Sequence, residues 1–95
     1  MAEPAPQLSG AENRRHLRHR VMRRGVLIHA PSGRSFSCLI VDISLGGARL
    51  HLVAGDTPRR DLTLVDVRAG TAHDVHVVWG GVGVIGVGFD KTRPL

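Results

Sequence analysis

Between Val21 and Phe89 no segment sustains the three-to-four-residue apolar period of a helix; short apolar runs recur instead, each cut off by glycine, proline or aspartate. That pattern restricts the chain to strands joined by tight turns. Val21 to Ile28 reads as a first strand interrupted by Gly25, and Pro31-Ser32-Gly33 as the turn behind it. Ser35 to Ile43 follows, with Phe36, Cys38 and Ile40 alternating against Ser37, Leu39 and Val41. Both of its faces are largely apolar, so it is expected to be a central strand that ends near Asp42. After Ser44-Leu45-Gly46-Gly47, the segment Ala48 to Val53 sends Ala48, Leu50 and Leu52 one way and Arg49 and His51 the other. Leu62 to Val67 turns Leu62 and Leu64 inward, and Ala69-Gly70 reverses the chain again. His73 to Trp79 follows, with Val75, Val77 and Trp79 as its apolar side. Gly80-Gly81 is read as the start of a last hairpin, which leads into Val82 to Phe89. Gly83, Gly86 and Gly88 in that last strand predict a bulge or a close backbone approach, because glycine otherwise weakens a strand interior.

The fold class that follows is all-β, a small six-stranded antiparallel barrel. Closure hides strand edges that would otherwise pair with other chains. Residues 1–13, with Pro4, Pro6, Ser9 and Gly10, read as a disordered leader, and residues 14–95 as the domain. No apolar stretch approaches the ~18 residues of a membrane helix. The start MAEPAPQLSG lacks both the charged onset and the apolar core of a signal peptide. The chain is therefore expected in the cytoplasm, without membrane insertion. Cys38 is the single cysteine and makes no internal disulfide; within its apolar run it is expected to be a buried, inert thiol. A core with three aromatics in 95 residues leaves little room for a deep substrate cavity.

Charge is placed unevenly. Six of the 13 basic residues (Arg14, Arg15, Arg18, Arg20, Arg23 and Arg24) stand in residues 14–24, with no acid among them. The net +5 is thus a property of one flexible N-terminal arm, and local positive charge asks for a local anionic partner. The basic residues are all arginine except Lys91. The guanidinium fork binds two oxygens at once and stacks on flat rings, which suits phosphate and guanine. A solvated basic segment ahead of the first strand is the competing reading.

Two constellations carry chemistry. In Arg14-x-x-x-Arg18 the two guanidiniums share one side of a helix or of an extended arm, so both can grip one ligand. In Asp42-x-Ser44-x-x-Gly47 the carboxylate and hydroxyl project to the same side of extended chain, and Gly47 is read as supplying the positive φ of a tight turn. Such a carboxylate accepts the N1–H and N2–H of a guanine, and the hydroxyl adds one bond. The alternative here is a hairpin turn capped by its own Asp and Ser side chains. The pairs His16-x-x-His19 and His73-x-x-His76 have a spacing found in metal sites. No third ligand accompanies them, and on a strand that spacing turns the rings to opposite faces. Neither a nucleophile with its base nor a carboxylate pair can be assembled, so no enzyme is expected.

Taken together and in this order, the two motifs resemble the signature of the PilZ domains. Gly46-Gly47-Ala48-Arg49-Leu50 and the run from Trp79 through Ile85-Gly86-Val87-Gly88-Phe89 resemble that family's later strands, so that the likeness spans residues ~13–90. The resemblance implies a six-stranded barrel that binds the bacterial second messenger cyclic di-GMP and signals to a protein partner in motility, exopolysaccharide synthesis or regulation. It implies that Arg14 and Arg18 contact phosphates and guanine, with Arg15 as an auxiliary. Asp42 and Ser44 would read a guanine, Gly47 would shape the turn, and Trp79 would stand beside the ligand as an aromatic does in some relatives. Leu17 departs from the family's commoner proline, which loosens the arm. A basic barrel that binds nucleic acid is the alternative from another class, but Phe36, Trp79 and Phe89 with no tyrosine make a poor stacking platform. A PilZ-like interaction module without nucleotide is the third.

Overall fold

A computed structural model of the chain describes residues 18–52 and 58–95. Its strands are β1 (His19–His29), β2 (Ser35–Ile43), β3 (Gly47–Leu52), β4 (Leu62–Asp66), β5 (Thr71–Gly81) and β6 (Val84–Pro94). All neighbours are antiparallel, and they close in the order β1-β2-β3-β6-β5-β4. The all-β six-stranded barrel expected from the sequence is the fold. Among the described residues no helix is long and apolar enough to cross a membrane.

The barrel closes because the alternating positions meet inside. Leu27, Ile40, Leu50 and Leu64 are fully buried, and Cys38, Ala48, Leu62, Val75, Ile85 and Val87 pack around them. Each large aliphatic side chain so placed stabilises the fold by about 1.5–3 kcal/mol. Burial pushes the Cys38 thiol up to about 11, so the reactive thiolate is scarce at neutral pH. The seam between β1 and β4 carries a part-buried ion pair, in which Arg23 Nη2 donates to Oδ2 of the fully buried Asp66 at 2.9 Å. One arginine of the basic cluster is therefore engaged by the fold itself.

Several boundaries differ from the sequence reading, each for a local reason. His19 to Arg24 belong to β1 and run beside β2, so the part of the arm at 19–24 is strand. The residues 1–17, with the leader and with Arg14, Arg15, His16 and Leu17, lie outside the described residues. Gly80 and Gly81 are the end of β5, and the last hairpin turns at Val82-Gly83, where Gly83 takes a φ of 71°. β6 continues past Phe89 to Pro94 because its polar end still pairs with β5, Ala72 opposite Arg93 and Thr71 opposite Pro94. His73 and His76 do point apart. His73 is buried and stacks on Phe89 at 4.0 Å, and that burial lowers its pKa, while His76 lies outside and pairs with Asp90 at 2.9 Å.

Candidate functional site

The hairpin between β2 and β3 turns through Ser44–Gly47, and its bonds explain the residue types there. The Ser44 amide donates to the Gly47 carbonyl at 2.9 Å, and the Gly46 amide donates to Ser44 Oγ at 3.3 Å. Ser44 Oγ also reaches the Gly47 carbonyl at 3.4 Å. The Phe89 amide donates to the Gly46 carbonyl at 2.9 Å, which pins the turn to β6. The hydroxyl thus does what the turn-capping reading of Ser44 asks, and it still lines the surface cleft described below. Gly47 does not take the positive φ expected of it; among the described residues that conformation is taken by Gly33, Gly70, Gly83 and Asp61. The requirement at Gly47 is space, since a Cβ there would collide with the Val87 carbonyl oxygen on the neighbouring strand.

A hairpin hinged on Ser44–Gly47 pairs Ile43 with Ala48 and Asp42 with Arg49. The register slips by one residue between Ile40 and Asp42, so Asp42 leaves the inward row of Cys38 and Ile40 and shares the face of Arg49. Asp42 is nonetheless only 8% exposed, because arginines cover it. Its Oδ2 lies 3.5 Å from Arg18 Nη1 and 3.5 Å from Arg49 Nη2. Both separations exceed the ~2.7–2.9 Å of a close charge-assisted bond. Asp42 Oδ1 and Arg49 Nε find no hydrogen-bond partner among the described residues. Two guanidiniums therefore hold one carboxylate loosely, with hydrogen-bonding capacity left on both signs of charge.

The opposite wall comes from β5 and β6. A second slip, between Val77 and Trp79, sets Trp79 opposite Gly86. Ile85 and Val87 point into the core, so the intervening Gly86 faces outward, and Trp79 lies on that outer face instead of continuing the Val75 and Val77 side. This corrects the expected apolar row. The indole rests directly on Gly86, where a Cβ would collide with the ring, and the His76 ring covers Gly88 in the same way. Two glycines at alternate positions of β6 thus seat two rings on a flat backbone surface.

Between these walls lies a cleft of about 250 Å³. Arg18, Ser44, Gly47, Arg49, Trp79 and the Gly86–Gly88 backbone line it, together with Gly46, Ala48 and Val78. It opens on the outer face of the sheet, in keeping with a core too small for an internal cavity. Of the residues singled out from sequence, Arg18, Ser44, Gly47 and Trp79 line the cleft, and Asp42 sits behind Arg18 and Arg49. Arg49, Val78, Gly86 and Gly88 escaped that reading. Arg49 has a signal, since counting outward from the Ser44–Gly47 turn sets it across from Asp42; Gly86 and Gly88 are legible as a bulge or close approach, but not as seats for rings.

A model of one protein family, described as the PilZ domain, matches residues 12–94. No curated protein and no solved structure matches the chain.

Proposed function

Because the chain belongs to the PilZ domain family, a family of cyclic di-GMP-binding domains, we propose that this cleft binds cyclic di-GMP and that the protein is a cytoplasmic receptor for it. One observation supports the reading above the rest: Arg18 and Asp42, from the two separate motifs, stand 3.5 Å apart beside a cleft that Ser44, Gly47 and Trp79 also line. In this reading Arg14, Arg15 and Arg18 take the phosphates and the guanine edges. Asp42, uncovered as Arg18 and Arg49 turn from it to the ligand, accepts from guanine N1–H and N2–H through its carboxylate, whose Oδ1 has no hydrogen-bond partner among the described residues. Ser44 and Gly47 keep the turn in place, and Trp79 offers a face for a base to stack on. The domain runs over residues 14–95 behind a leader at 1–13. Binding draws the arm onto the barrel and presents a changed surface to a protein partner, in motility, exopolysaccharide synthesis or regulation. It makes and breaks no covalent bond.

Magnitudes favour several arginines acting together. Fixing five arm residues costs on the order of 5–10 kcal/mol of backbone entropy, and each charge-assisted bond returns roughly 1.5–3 kcal/mol. Micromolar affinity needs about −8 kcal/mol net, so four or five such bonds with stacking are required. Calorimetric titration with cyclic di-GMP, cyclic di-AMP and GTP tests the reading. Cyclic di-GMP should bind well ahead of the other two, and Arg18→Ala should weaken it roughly ten- to hundred-fold. Equal binding of all three, or an unaffected Arg18→Ala variant, would refute it. Steep salt dependence with retained affinity in Asp42→Ala would point to a nucleic-acid surface instead.

A further inference from the structure

Arg49 belongs to neither sequence motif, yet it lines the cleft. It lies in the middle of β3, paired to Asp42 on one side and to Gly86 on the other. Its backbone is therefore held by two ladders before any ligand arrives and its side chain is 42% exposed, whereas Arg18 precedes β1 and its side chain is 59% exposed. A preorganised guanidinium loses less on binding than one that must be ordered.

The charge balance at this spot is incomplete. One carboxylate faces two guanidiniums, which leaves an excess positive charge where Arg18 and Arg49 both line the cleft. Arg49 Nε is buried and has no hydrogen-bond partner among the described residues, a costly state for a charged donor. An anionic oxygen entering the cleft would balance that excess, and the exposed part of the Arg49 guanidinium is available to it. Trp79, seated on Gly86 directly opposite Arg49 in the ladder, leaves a ring face beside that anion.

We propose that Arg49 binds a phosphate of the cyclic dinucleotide directly, beside Arg18. This rests on the cyclic di-GMP reading of the cleft. Arg49 also steers Asp42, so the test must separate the two effects. Arg49→Ala, Arg49→Gln and Arg49→Lys would be titrated with cyclic di-GMP by calorimetry, and the ³¹P resonances of the bound ligand recorded at saturation. Arg49→Ala and Arg49→Gln should weaken binding roughly ten- to hundred-fold, with Arg49→Lys between them and the parent. The ³¹P shift should move in all three complexes, an outcome that mere orientation of Asp42 does not produce. A half-exposed arginine should leave the melting temperature nearly unchanged. Parent-like affinity, or weakened affinity with an unmoved ³¹P shift, would overturn the proposal while leaving the receptor reading intact. Failure of the parent chain to bind cyclic di-GMP would refute that reading, and this inference with it.

Discussion

Gly47→Ala should lower stability by about 3 kcal/mol, the upper range for forcing an extra carbon into a packed site. The added Cβ would collide with the Val87 carbonyl oxygen, which is backbone and cannot rotate away as a side chain would. Relief requires β3 and β6 to part where Gly47 pairs with Gly88 and Ala48 with Val87. The same movement strains the bond from the Phe89 amide to the Gly46 carbonyl, now 2.9 Å, and so displaces the turn that holds Ser44. Small domains have only about 5–15 kcal/mol in total. At the usual sensitivity of domains this size, the melting temperature should fall by roughly 10–25 °C. Thermal unfolding followed by circular dichroism measures this. A variant melting within about 2 °C of the parent would show that the two strands separate freely at this point.

Asp42→Ala should act in the opposite way, with the fold kept and binding lost. Asp42 Oδ1 has no partner among the described residues, and Oδ2 sees its arginines only at 3.5 Å. Those arginines are 59% and 42% exposed in their side chains, so water solvates them once the carboxylate is gone. The stability change should stay within about 1 kcal/mol, because the carboxylate removed is itself buried and only loosely bonded and the arginines left behind reach water. Binding is a different matter, because two donors of guanine lose an ionised acceptor together. At roughly 1.5–3 kcal/mol for each bond, affinity for cyclic di-GMP should drop at least about a hundred-fold. Asp42→Asn, which keeps the shape and loses the charge, should fall nearly as far. Calorimetry and melting curves on the same samples separate the two quantities. Affinity within about threefold of the parent in both variants would remove Asp42 from the site.

The strands were legible wherever burial alternates cleanly. Ser35–Ile43 matches β2 in full, with Cys38 and Ile40 on the buried face and Leu39 and Val41 half-buried on the other, and Leu62 opens β4 with Leu62 and Leu64 inward. Legibility failed where the register slips by one residue. At Val77/Trp79 the slip turned a core-like tryptophan outward, and at Ile40/Asp42 it moved an aspartate from the inward row to the arginine face. A slip leaves no mark on side-chain alternation, since it depends on what the neighbouring strand offers. Family likeness sets the two motifs at one ligand; the register of β1 on β2, with Arg20 opposite Asp42, is what brings Arg18 beside Asp42. At Gly47 the sequence suggests a positive φ and the fold instead demands space, because a crowding demand and a dihedral demand select the same residue.

The seat of Trp79 on Gly86 has a practical corollary. The chain contains one tryptophan and no tyrosine, so practically all of its intrinsic fluorescence originates from this indole at the rim of the cleft. Emission from the unlabelled protein is thus an optical signal with a single address, sensitive to whatever replaces water above the ring.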